Sequence, residues 1–282
     1  MTFTIATWNV NSLRRRLDLL ERLATDRRPD VLCLQETKVT DAAFPAARIS
    51  EIGYPFQAIA GMPGYNGVAI LSKIPLEDVQ RHSRLGDMGA RHISATIATR
   101  EENIEVHSLY VPAGGDIPDP EKNAKFRYKL LFLDELSDWF AGCYGFRDPI
   151  VLAGDFNIAP LPSDVWNHNR LRRAVTHTEI EILALERLKR SLNWIDCLRE
   201  ALGEDDPVFT WWSYRSGNWQ AANKGRRLDH IWVTPALNGS IGTVEVLTDV
   251  RNWEPPSDHA PMLMEIKTHL PPLIMPYYHT IL

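Results

Sequence analysis

The chain has 282 residues, 44% of them hydrophobic and 24% charged, which is the ordinary composition of a globular protein with a sizeable core. No stretch approaches the roughly 18 apolar residues that span a bilayer, and residues 1–9 lack the pattern of a signal peptide. A cytoplasmic protein without a membrane partner is therefore expected. Three scattered cysteines exclude a disulfide framework or a zinc-cysteine site, and a formal charge of −5 argues against nucleic-acid binding over the whole surface.

The first part of the chain repeats a pattern of a short apolar strand followed by a polar tip. Residues 4–8 are predicted to form a strand that ends at Asn9, and Ser12 is predicted to cap the helix that follows. A second buried strand, residues 31–34, ends at Glu36. Two strand ends thus carry polar side chains within the first 40 residues.

The middle of the chain is predicted to be mostly β structure. Residues 92–99 and 104–111 alternate apolar and polar positions on either side of a charged link, as in a hairpin. The second of these strands ends around Tyr110. A helix over residues 122–140 is predicted to follow.

Residues 148–160 contain an apolar strand that ends in Gly154, Asp155 and Asn157. Side chains at positions i and i+2 of an extended segment point to the same side, so Asp155 and Asn157 can share one cavity. A strand followed by an Asx turn would explain the same pattern without any function. The other strand ends favour the functional interpretation.

The last part of the chain contains further polar strand ends. Thr178 and Glu181 fit a capping box at the start of a helix. A strand over residues 228–233 carries Asp229, and strands over 244–247 and 262–266 bracket Asp258 and His259.

Together, these strand ends suit hydrolysis of a phosphodiester assisted by a hard cation. Mg²⁺ prefers oxygen ligands and needs only one or two carboxylates, which Glu36 with Asn9 could supply. Asp155 could orient or deprotonate the attacking water, and Asp229 could hold His259. Donors to the charged phosphorane would come from the remaining polar tips, Tyr110, Asn157 and protonated His259. Taken singly, each of these residues also has an ordinary structural explanation, such as a cap, a turn or an ion pair.

Three basic clusters could form a local face for nucleic acid, although a solvated charged surface is the alternative for each. They are Arg14 to Arg16, Arg170 with Arg172 and Arg173, and Lys224 with Arg226 and Arg227.

Six motifs stand out in order along the chain: Trp8-Asn9-Val10-Asn11-Ser12, Gln35-Glu36-Thr37-Lys38, Gly154-Asp155-Phe156-Asn157-Ile158, Phe209-Thr210-Trp211-Trp212-Ser213-Tyr214-Arg215, Arg227-Leu228-Asp229-His230 and Ser257-Asp258-His259-Ala260-Pro261. They resemble those of the exonuclease III family of abasic-site DNA repair nucleases, within the endonuclease/exonuclease/phosphatase superfamily. The resemblance implies an α/β fold, a four-layer α/β sandwich in which two mixed β-sheets pack face to face between helices. It also implies one domain over residues 1–269, followed by a tail over 270–282.

The activities that the resemblance implies are incision at abasic sites, 3′ to 5′ exonuclease action and removal of 3′ blocking groups in base excision repair. The expected enzyme is a monomer that acts on double-stranded DNA with abasic sites, nicks or 3′ ends and uses Mg²⁺, or Mn²⁺ in its place. The resemblance implies catalytic Tyr110, Asp155, Asn157, Asp229 and His259, and metal-associated Asn9, Glu36, Asp155, Asn157, Asp258 and His259. The residues expected to bind substrate are Asn11, Arg14, Trp166, Trp211, Tyr214, Arg226 and Leu228.

Two residues depart from the family pattern. Ala113 stands where the family usually has Asn or Gln, which predicts the loss of a side-chain contact to DNA. Arg226 replaces a Trp that helps to line the pocket for the abasic sugar, with the counterparts of Trp211 and Leu228. A guanidinium in that wall predicts weaker selection for the bare sugar and a balance shifted toward 3′-end processing. Trp166 could stack on DNA or cover the edge of the core, and one of Trp211 and Trp212 is expected to face the substrate.

Two other functions fit the sequence less well. One is a hydrolase of the same fold that acts on a non-DNA phosphate ester; cleavage of abasic duplex rather than phosphoinositide would exclude it. The other is a non-catalytic binder of DNA ends, which would bind tightly without metal and cleave nothing.

Overall fold

The computed structural model describes residues 2–86, 90–99 and 102–268, and the predicted tail lies outside these residues. Two six-stranded mixed sheets pack face to face and carry helices on their outer sides. The four-layer α/β sandwich is therefore confirmed. In the part of the chain that the structure describes, no helix is long and apolar enough to cross a membrane.

The residues that the structure describes form fourteen strands and seven α-helices. The strands are β1 (Phe3–Asn9), β2 (Val31–Gln35), β3 (Phe56–Ala60), β4 (Val68–Ser72), β5 (Glu77–Arg81), β6 (His92–Ala98), β7 (Asn103–Tyr110), β8 (Ile150–Asp155), β9 (Ile195–Asp196), β10 (Trp211–Trp212), β11 (Gly225–Arg226), β12 (Asp229–Val233), β13 (Ile241–Val246) and β14 (Met262–Ile266). The helices are α1 (Leu17–Asp26), α2 (Ala46–Ile52), α3 (Ala124–Cys143), α4 (His168–Leu171), α5 (Glu179–Ser191), α6 (Cys197–Leu202) and α7 (Trp219–Ala222).

The two large sheets have the same pattern of strand directions. The first has the order β13-β14-β1-β2-β4-β3 and the second β5-β6-β7-β8-β12-β9. In each sheet the central pair, β1 with β2 and β7 with β8, is parallel, and all other pairs are antiparallel. Because parallel strands end at the same edge, each sheet presents two carboxyl ends side by side.

The alternation of side chains along each strand separates two kinds of core. In β8, Val151 and Ala153 face the core between the sheets, whereas Ile150 and Leu152 pack under the outer helices. Continuing this period of two places Asp155 on the inner face, where the strand ends. By the same alternation, the polar residues at the ends of β1, β7 and β12 belong to the inner faces; these are Asn9, Tyr110 and Asp229.

The outer layers consist of amphipathic helices. Helix α1 buries Leu20 and Leu23 against the outer face of the first sheet, and α3 and α5 cover the second sheet. The predicted capping box is confirmed at the start of α5, where the main-chain nitrogen of Thr178 donates to Glu181 Oε2 over 3.2 Å.

The predicted cap at Ser12 is wrong. Its side chain makes no cap hydrogen bond, a 3₁₀ turn (Leu13–Arg15) follows it, and α1 begins only at Leu17. The main-chain nitrogen of Ser12 donates instead to the Glu36 carbonyl over 2.8 Å, and that of Leu13 to the Thr37 carbonyl over 3.1 Å. The segments that follow β1 and β2 are thus tied together, and this non-local pairing overrides the local preference.

A chain of buried polar groups lies between the second sheet and α3. The Arg84 guanidinium donates to His92 Nδ1 over 3.0 Å, and His92 Nε2 lies 2.8 Å from His107 Nδ1. A guanidinium can only donate, so His92 carries its proton on Nε2 and donates to His107. Burial holds the pKa of His92 and of His107 well below the ordinary value, and burial together with Arg84 lowers the pKa of neighbouring His82 to about 4.

These neutral histidines predict a loss of stability in mild acid. An unfolded histidine takes up its proton near pH 6.5, whereas folded His82 does so near pH 4. Between these values the unfolded chain binds more protons, so the free energy of unfolding should fall as the pH falls. His82→Gln should make this dependence shallower by up to about 1.4 kcal/mol per pH unit. Urea unfolding of both proteins between pH 7.5 and 4.5 tests this; parallel curves would contradict it.

Candidate active site

A cavity of about 630 Å³ lies where the carboxyl ends of the central strands of both sheets meet. We call it the strand-end cavity. Its lining contains ten of the residues predicted from the sequence, namely Glu36, Tyr110, Asp155, Asn157, Trp166, Trp211, Arg226, Leu228, Asp258 and His259. Residues from both ends of the chain therefore share one site.

The other predicted residues lie around this cavity at different depths. Asn9 and Asp229 are fully buried behind its lining. Asn11 reaches its edge, where its amide donates to Asp258 Oδ1 over 2.9 Å and lies 3.4 Å from the Tyr214 hydroxyl. Arg14 is exposed and does not line the cavity, so its role toward substrate stays a prediction.

Gly154 allows Asp155 to stand at the end of β8. A Cβ atom at this position would lie 1.9 Å from the carbonyl oxygen of Leu109 in β7, so only glycine permits this approach. The Asp155 carboxylate is then held by three donors. Its Oδ1 accepts from the main-chain nitrogen of Asn157 over 2.9 Å, and its Oδ2 accepts from the side-chain amides of Asn9 and Asn157 over 2.9 and 3.2 Å.

Asn9 connects the two sheets at the floor of the cavity. Its amide nitrogen donates to Glu36 Oε1 and to Asp155 Oδ2, over 2.9 Å in each case. The Tyr110 hydroxyl donates to Glu36 Oε1 over 3.0 Å. Because the Asn9 amide oxygen already accepts from the main-chain nitrogen of Asn11, Asn9 orients the carboxylates in this arrangement, and its role as a metal ligand stays a prediction.

His259 and Asp229 form the pair expected from the sequence motifs. His259 Nδ1 donates to Asp229 Oδ2 over 2.8 Å, and His259 Nε2 lies 3.8 Å from Asp155 Oδ2. Burial lowers the pKa of His259, but Asp229 and Asp155 raise it more, to about 10. The imidazole is therefore protonated at neutral pH and presents an N–H toward the cavity.

For Asp155, the effect of burial on the pKa outweighs that of the neighbouring hydrogen-bond donors and of His259. Burial raises the pKa of Asp155 to about 7, with further contributions from Asp229 and Glu36, while His259 and Asn9 act against this rise. A carboxylate whose pKa lies near neutrality can accept a proton during a reaction and release it afterwards. The arrangement thus holds a proton acceptor and a proton donor side by side.

The donor set of the cavity fits a hard divalent cation. Four carboxylates surround its inner end, and they belong to Glu36, Asp155, Asp229 and Asp258. Burial raises the pKa of Glu36, yet hydrogen bonds from Asn9 and Lys38 lower it more, so Glu36 is ionised. Asp229 Oδ1 is buried without a hydrogen-bond partner among the described residues. Glu36 and Asp155 would hold the ion, since oxygen ligands of this kind suit Mg²⁺.

Asp258 is less available to a metal in this arrangement. Its Oδ2 accepts from the Trp211 indole over 2.9 Å, and its Oδ1 accepts from Asn11. Burial acts to raise the pKa of Asp258, but protonated His259 and these donors lower it. A metal-associated role for Asp258 stays a prediction.

The outer wall of the cavity is aromatic and cationic. Arg226 Nη1 donates to the Val175 carbonyl over 2.9 Å and lies 2.6 Å from the Thr176 hydroxyl oxygen, and its guanidinium lies 5.4 Å from the Trp211 ring centre. Arg226, Trp211 and Leu228 therefore share the cavity, as expected. Ala113 also lines it.

The three tryptophans divide their roles. Trp211 lines the cavity, whereas Trp212 is buried and donates to Asn223 over 3.1 Å, which confirms that only one of the two faces the site. Trp166 lines the cavity and also packs on a small apolar cluster, which agrees with a role at the edge of the core, whereas stacking on DNA stays a prediction. The cations of Arg170 and Lys224 lie 5.5 and 5.3 Å from its ring centre.

Two of the predicted basic clusters are only partly surface features. Arg227 is fully buried and pairs with Asp164 and Asp196. Arg16 is buried as well and donates to the carbonyl of Pro256 over 2.6 Å and to the Tyr214 hydroxyl over 2.8 Å. Such arginines position loops and are not free to bind phosphate.

Two further residues organise the site without having been assigned a role from the sequence. Lys38 Nζ lies 2.7 Å from Glu36 Oε2. The Ser257 hydroxyl donates to the Asn9 carbonyl over 2.7 Å and accepts from the His259 main-chain nitrogen over 3.2 Å. Both lie inside motifs that the sequence already singled out, so proximity to Glu36 and His259 was the available signal.

Comparison with known proteins agrees with this geometry. A model of the Endonuclease/Exonuclease/phosphatase family matches residues 6–259. The chain belongs to this family. Exodeoxyribonuclease III of Haemophilus influenzae is 31% identical to it over 268 residues, which cover 93% of this chain and 98% of that protein. The resemblance to the exonuclease III family is thereby confirmed.

Solved structures of family members are similar over nearly the whole chain. An AP endonuclease from Archaeoglobus fulgidus superposes with a TM-score of 0.87 at 34% identity, covering 94% of this chain and 100% of that one. A 3′ phosphatase, NExo, from Neisseria bound to product DNA hairpin gives a TM-score of 0.83 at 32% identity, covering 94% and 99%.

The proposed cation site predicts that Glu36→Gln weakens metal binding. Loss of one ionised carboxylate from the inner end of the cavity should raise the Kd for Mn²⁺ by about tenfold or more. Titration followed by electron paramagnetic resonance measures free Mn²⁺ directly. Asp249→Asn, which neutralises an exposed carboxylate elsewhere, is the control and should bind as wild type does. Equal affinities for the two variants would count against Glu36 as a ligand.

Proposed function

We propose that this protein is a metal-dependent DNA repair nuclease. It acts as a 3′ to 5′ exodeoxyribonuclease, an abasic-site endonuclease and a 3′-end-cleaning phosphodiesterase or phosphatase in base excision repair. The observation that carries the proposal is the convergence of Asp155, the Asp229–His259 pair and Glu36 in one cavity. Family membership and the named DNA-processing relatives support it.

In the proposed reaction, Asp155 accepts a proton and His259 donates a hydrogen bond to the phosphate. Asp155 orients the attacking water and takes its proton as the water oxygen bonds to phosphorus. The P–O bond to the leaving group then breaks, and the leaving oxygen takes a proton from solvent water. His259, held by Asp229, directs its Nε2–H to the phosphoryl oxygens, where negative charge develops. Asp229 acts through His259 by fixing its orientation.

Tyr110 and Asn157 are the proposed contacts to phosphate. Without substrate the Tyr110 hydroxyl donates to Glu36, so it would change partner when phosphate arrives. The Asn157 amide donates to the Val111 carbonyl over 2.9 Å and to Asp155 over 3.2 Å. Donation to phosphate would replace the longer of these bonds.

Mg²⁺ is the proposed cofactor, with Mn²⁺ as a substitute. When bound, it would neutralise charge on the reacting phosphate. Glu36 and Asp155 are the residues best placed to hold it; Asn9, Asn157, Asp258 and His259 are proposed to contribute, by analogy with the family.

The proposed substrate is double-stranded DNA with abasic sites, nicks or 3′ ends, acted on by a monomer in the cytoplasm. Although the whole chain is acidic, three basic side chains besides protonated His259 line the strand-end cavity, where they could contact phosphate. They are Arg215, Lys224 and Arg226. Trp166, Trp211 and Leu228 would pack against sugars or bases, and Asn11, Arg14 and Tyr214 would contact the DNA near the cavity edge.

The proposed site predicts that Asp155→Asn abolishes activity on every substrate. A suitable panel has an internal abasic site, a 3′ phosphate, a recessed 3′ end and a nick, each tested with Mg²⁺ and with chelator. Rates should fall by about 10⁴-fold because the proton acceptor is lost, and chelator should have a similar effect on wild type. Retained cleavage of any duplex by the folded variant would refute the site. Cleavage of a phosphoinositide but not of DNA would identify a different substrate class.

Arg226 is proposed to shift the balance toward 3′-end processing. A guanidinium in the pocket wall suits a charged terminal phosphate better than a neutral abasic sugar. Arg226→Trp should raise the ratio of abasic-site incision to 3′-phosphate removal by about tenfold, measured on matched duplexes. Arg172→Trp, at an exposed position outside the cavity, should leave the ratio unchanged. An unchanged or lower ratio in Arg226→Trp would exclude this role.

A further inference from the structure

A buried ion pair lies behind the strand-end cavity and has no role in the reaction as described so far. Lys129 of α3 and Glu181 of α5 both have 0% exposure, and Lys129 Nζ donates to Glu181 Oε1. A buried ion pair contributes little net stability compared with apolar residues of the same volume. The other contacts of the two side chains therefore indicate what the pair does.

Lys129 also fixes the main chain of Asn157. Its Nζ donates to the Asn157 carbonyl oxygen over 2.8 Å. Asn157 has a φ of 53°, in the left-handed region, which Asn adopts more readily than most non-glycine residues. In this conformation its carbonyl accepts from Lys129 while its side chain meets Asp155. The ammonium therefore helps to fix the backbone conformation that directs the amide toward the cavity.

Glu181 has the equivalent role for the outer wall. Both of its carboxylate oxygens accept from the main-chain nitrogen of Thr176, each over 3.0 Å. Thr176 has a φ of 85°, which is strained for a β-branched residue. The Thr176 hydroxyl oxygen and the Val175 carbonyl are in turn the anchors of Arg226. Glu181 thus holds the segment on which the Arg226 guanidinium rests.

The segments around Asn157 and Thr176 are also joined to each other. The main-chain nitrogen of Ala159, two residues after Asn157, donates to the Thr176 carbonyl over 2.7 Å. Strained residues persist at functional sites only where surrounding contacts over-determine them. One buried pair supplies such contacts to both segments.

We propose that the Lys129–Glu181 pair is a positioning unit that sets the Asn157 amide for the reaction and the Arg226 guanidinium for substrate selection. This inference rests on the proposed nuclease function. Lys129 affects the rate of the reaction because it positions Asn157. Glu181 affects the choice between abasic and 3′-phosphate substrates because it positions Arg226. A pair that only joined α3 to α5 would affect stability and nothing else.

The first test is a double-mutant cycle between Lys129→Met and Asn157→Ala. Single-turnover and steady-state rates on a 3′-phosphate duplex with Mg²⁺ are measured at matched folded fractions. Lys129→Met should lower kcat about tenfold or more with little change in KM, and it should have no further effect in the Asn157→Ala background. Lys189→Met, an exposed lysine on α5, is the control with unchanged kinetics. Independent, additive effects would overturn the role of Lys129.

The second test is a cycle between Glu181→Gln and Arg226→Ala. The readout is the ratio of abasic-site incision to 3′-phosphate removal, which a general loss of stability does not move. Glu181→Gln should change this ratio about threefold or more in wild type and leave it unchanged when Arg226 is Ala. The same change in both backgrounds, or none in wild type, would overturn the role of Glu181.

The paired variant Lys129→Met with Glu181→Gln tests the proposal if one of the single variants does not fold. It removes both charges together and leaves no unpaired charge buried, so it should lose less stability than either single variant while showing the defects in kcat and in the substrate ratio. Wild-type kinetics in this folded variant would overturn the inference. Full activity of Asn157→Ala on all duplexes would instead refute the assignment of Asn157 in the proposed function, which separates the two failures.

Discussion

The positions of Asp155, Asp229 and Asn9 depend on the packing of two pleated sheets through their inner faces. Along β8 the inner positions are apolar until the strand ends, and the next inner position is Asp155. Asn9, Tyr110 and Asp229 follow the same alternation on their own strands. A shift by one residue would turn these side chains to the outer face of the sheet. The strand register that buries the apolar core therefore also determines which polar side chains face the cavity. The close approach of Gly154 to Leu109 maintains this register in β8. The same packing excludes water from Asp155, and this exclusion is the main cause of its raised pKa.

The residues around the cavity are held in conformations that would be unfavourable elsewhere. Asn11, Ser12, Glu36, Lys38 and Asn157 all have positive φ values. Hydrogen bonds between segments hold them there, such as that from the Ser12 nitrogen to the Glu36 carbonyl. Strain of this kind is maintained by the rest of the fold, so the donors and acceptors stand in position before a ligand arrives. The two central parallel pairs contribute equally to this arrangement, because each sheet delivers two strand ends to the same edge.

Local patterns predicted much of this structure. Strand ends, the capping box at Thr178 and the glycine before Asp155 are encoded within a few residues, so the sequence alone located them. The face-to-face arrangement of the sheets and the roles in the site came from the motifs that resemble a known family. Features that depend on distant partners were out of reach. Ser12 resembled a helix cap because its partner, the Glu36 carbonyl, belongs to another segment. Arg227 resembled a surface cation because its buried partners, Asp164 and Asp196, are far away in sequence. Thr176 gave no signal, since strain is a property of the folded backbone.

The pairing of β1 with β14 determines when the site can assemble during synthesis of the chain. β1, the first described strand, pairs with β14, the last described one, and the Trp8 indole donates to the carbonyl of His259, 251 residues later. Asn9, Glu36 and Asp155 all emerge long before His259 can join them. A nascent or prematurely released chain therefore holds most of the reactive groups and none of the assembled site. A chain that ends before His259 lacks the Asp229–His259 pair and also lacks β14, which lies between β1 and β13 in the first sheet.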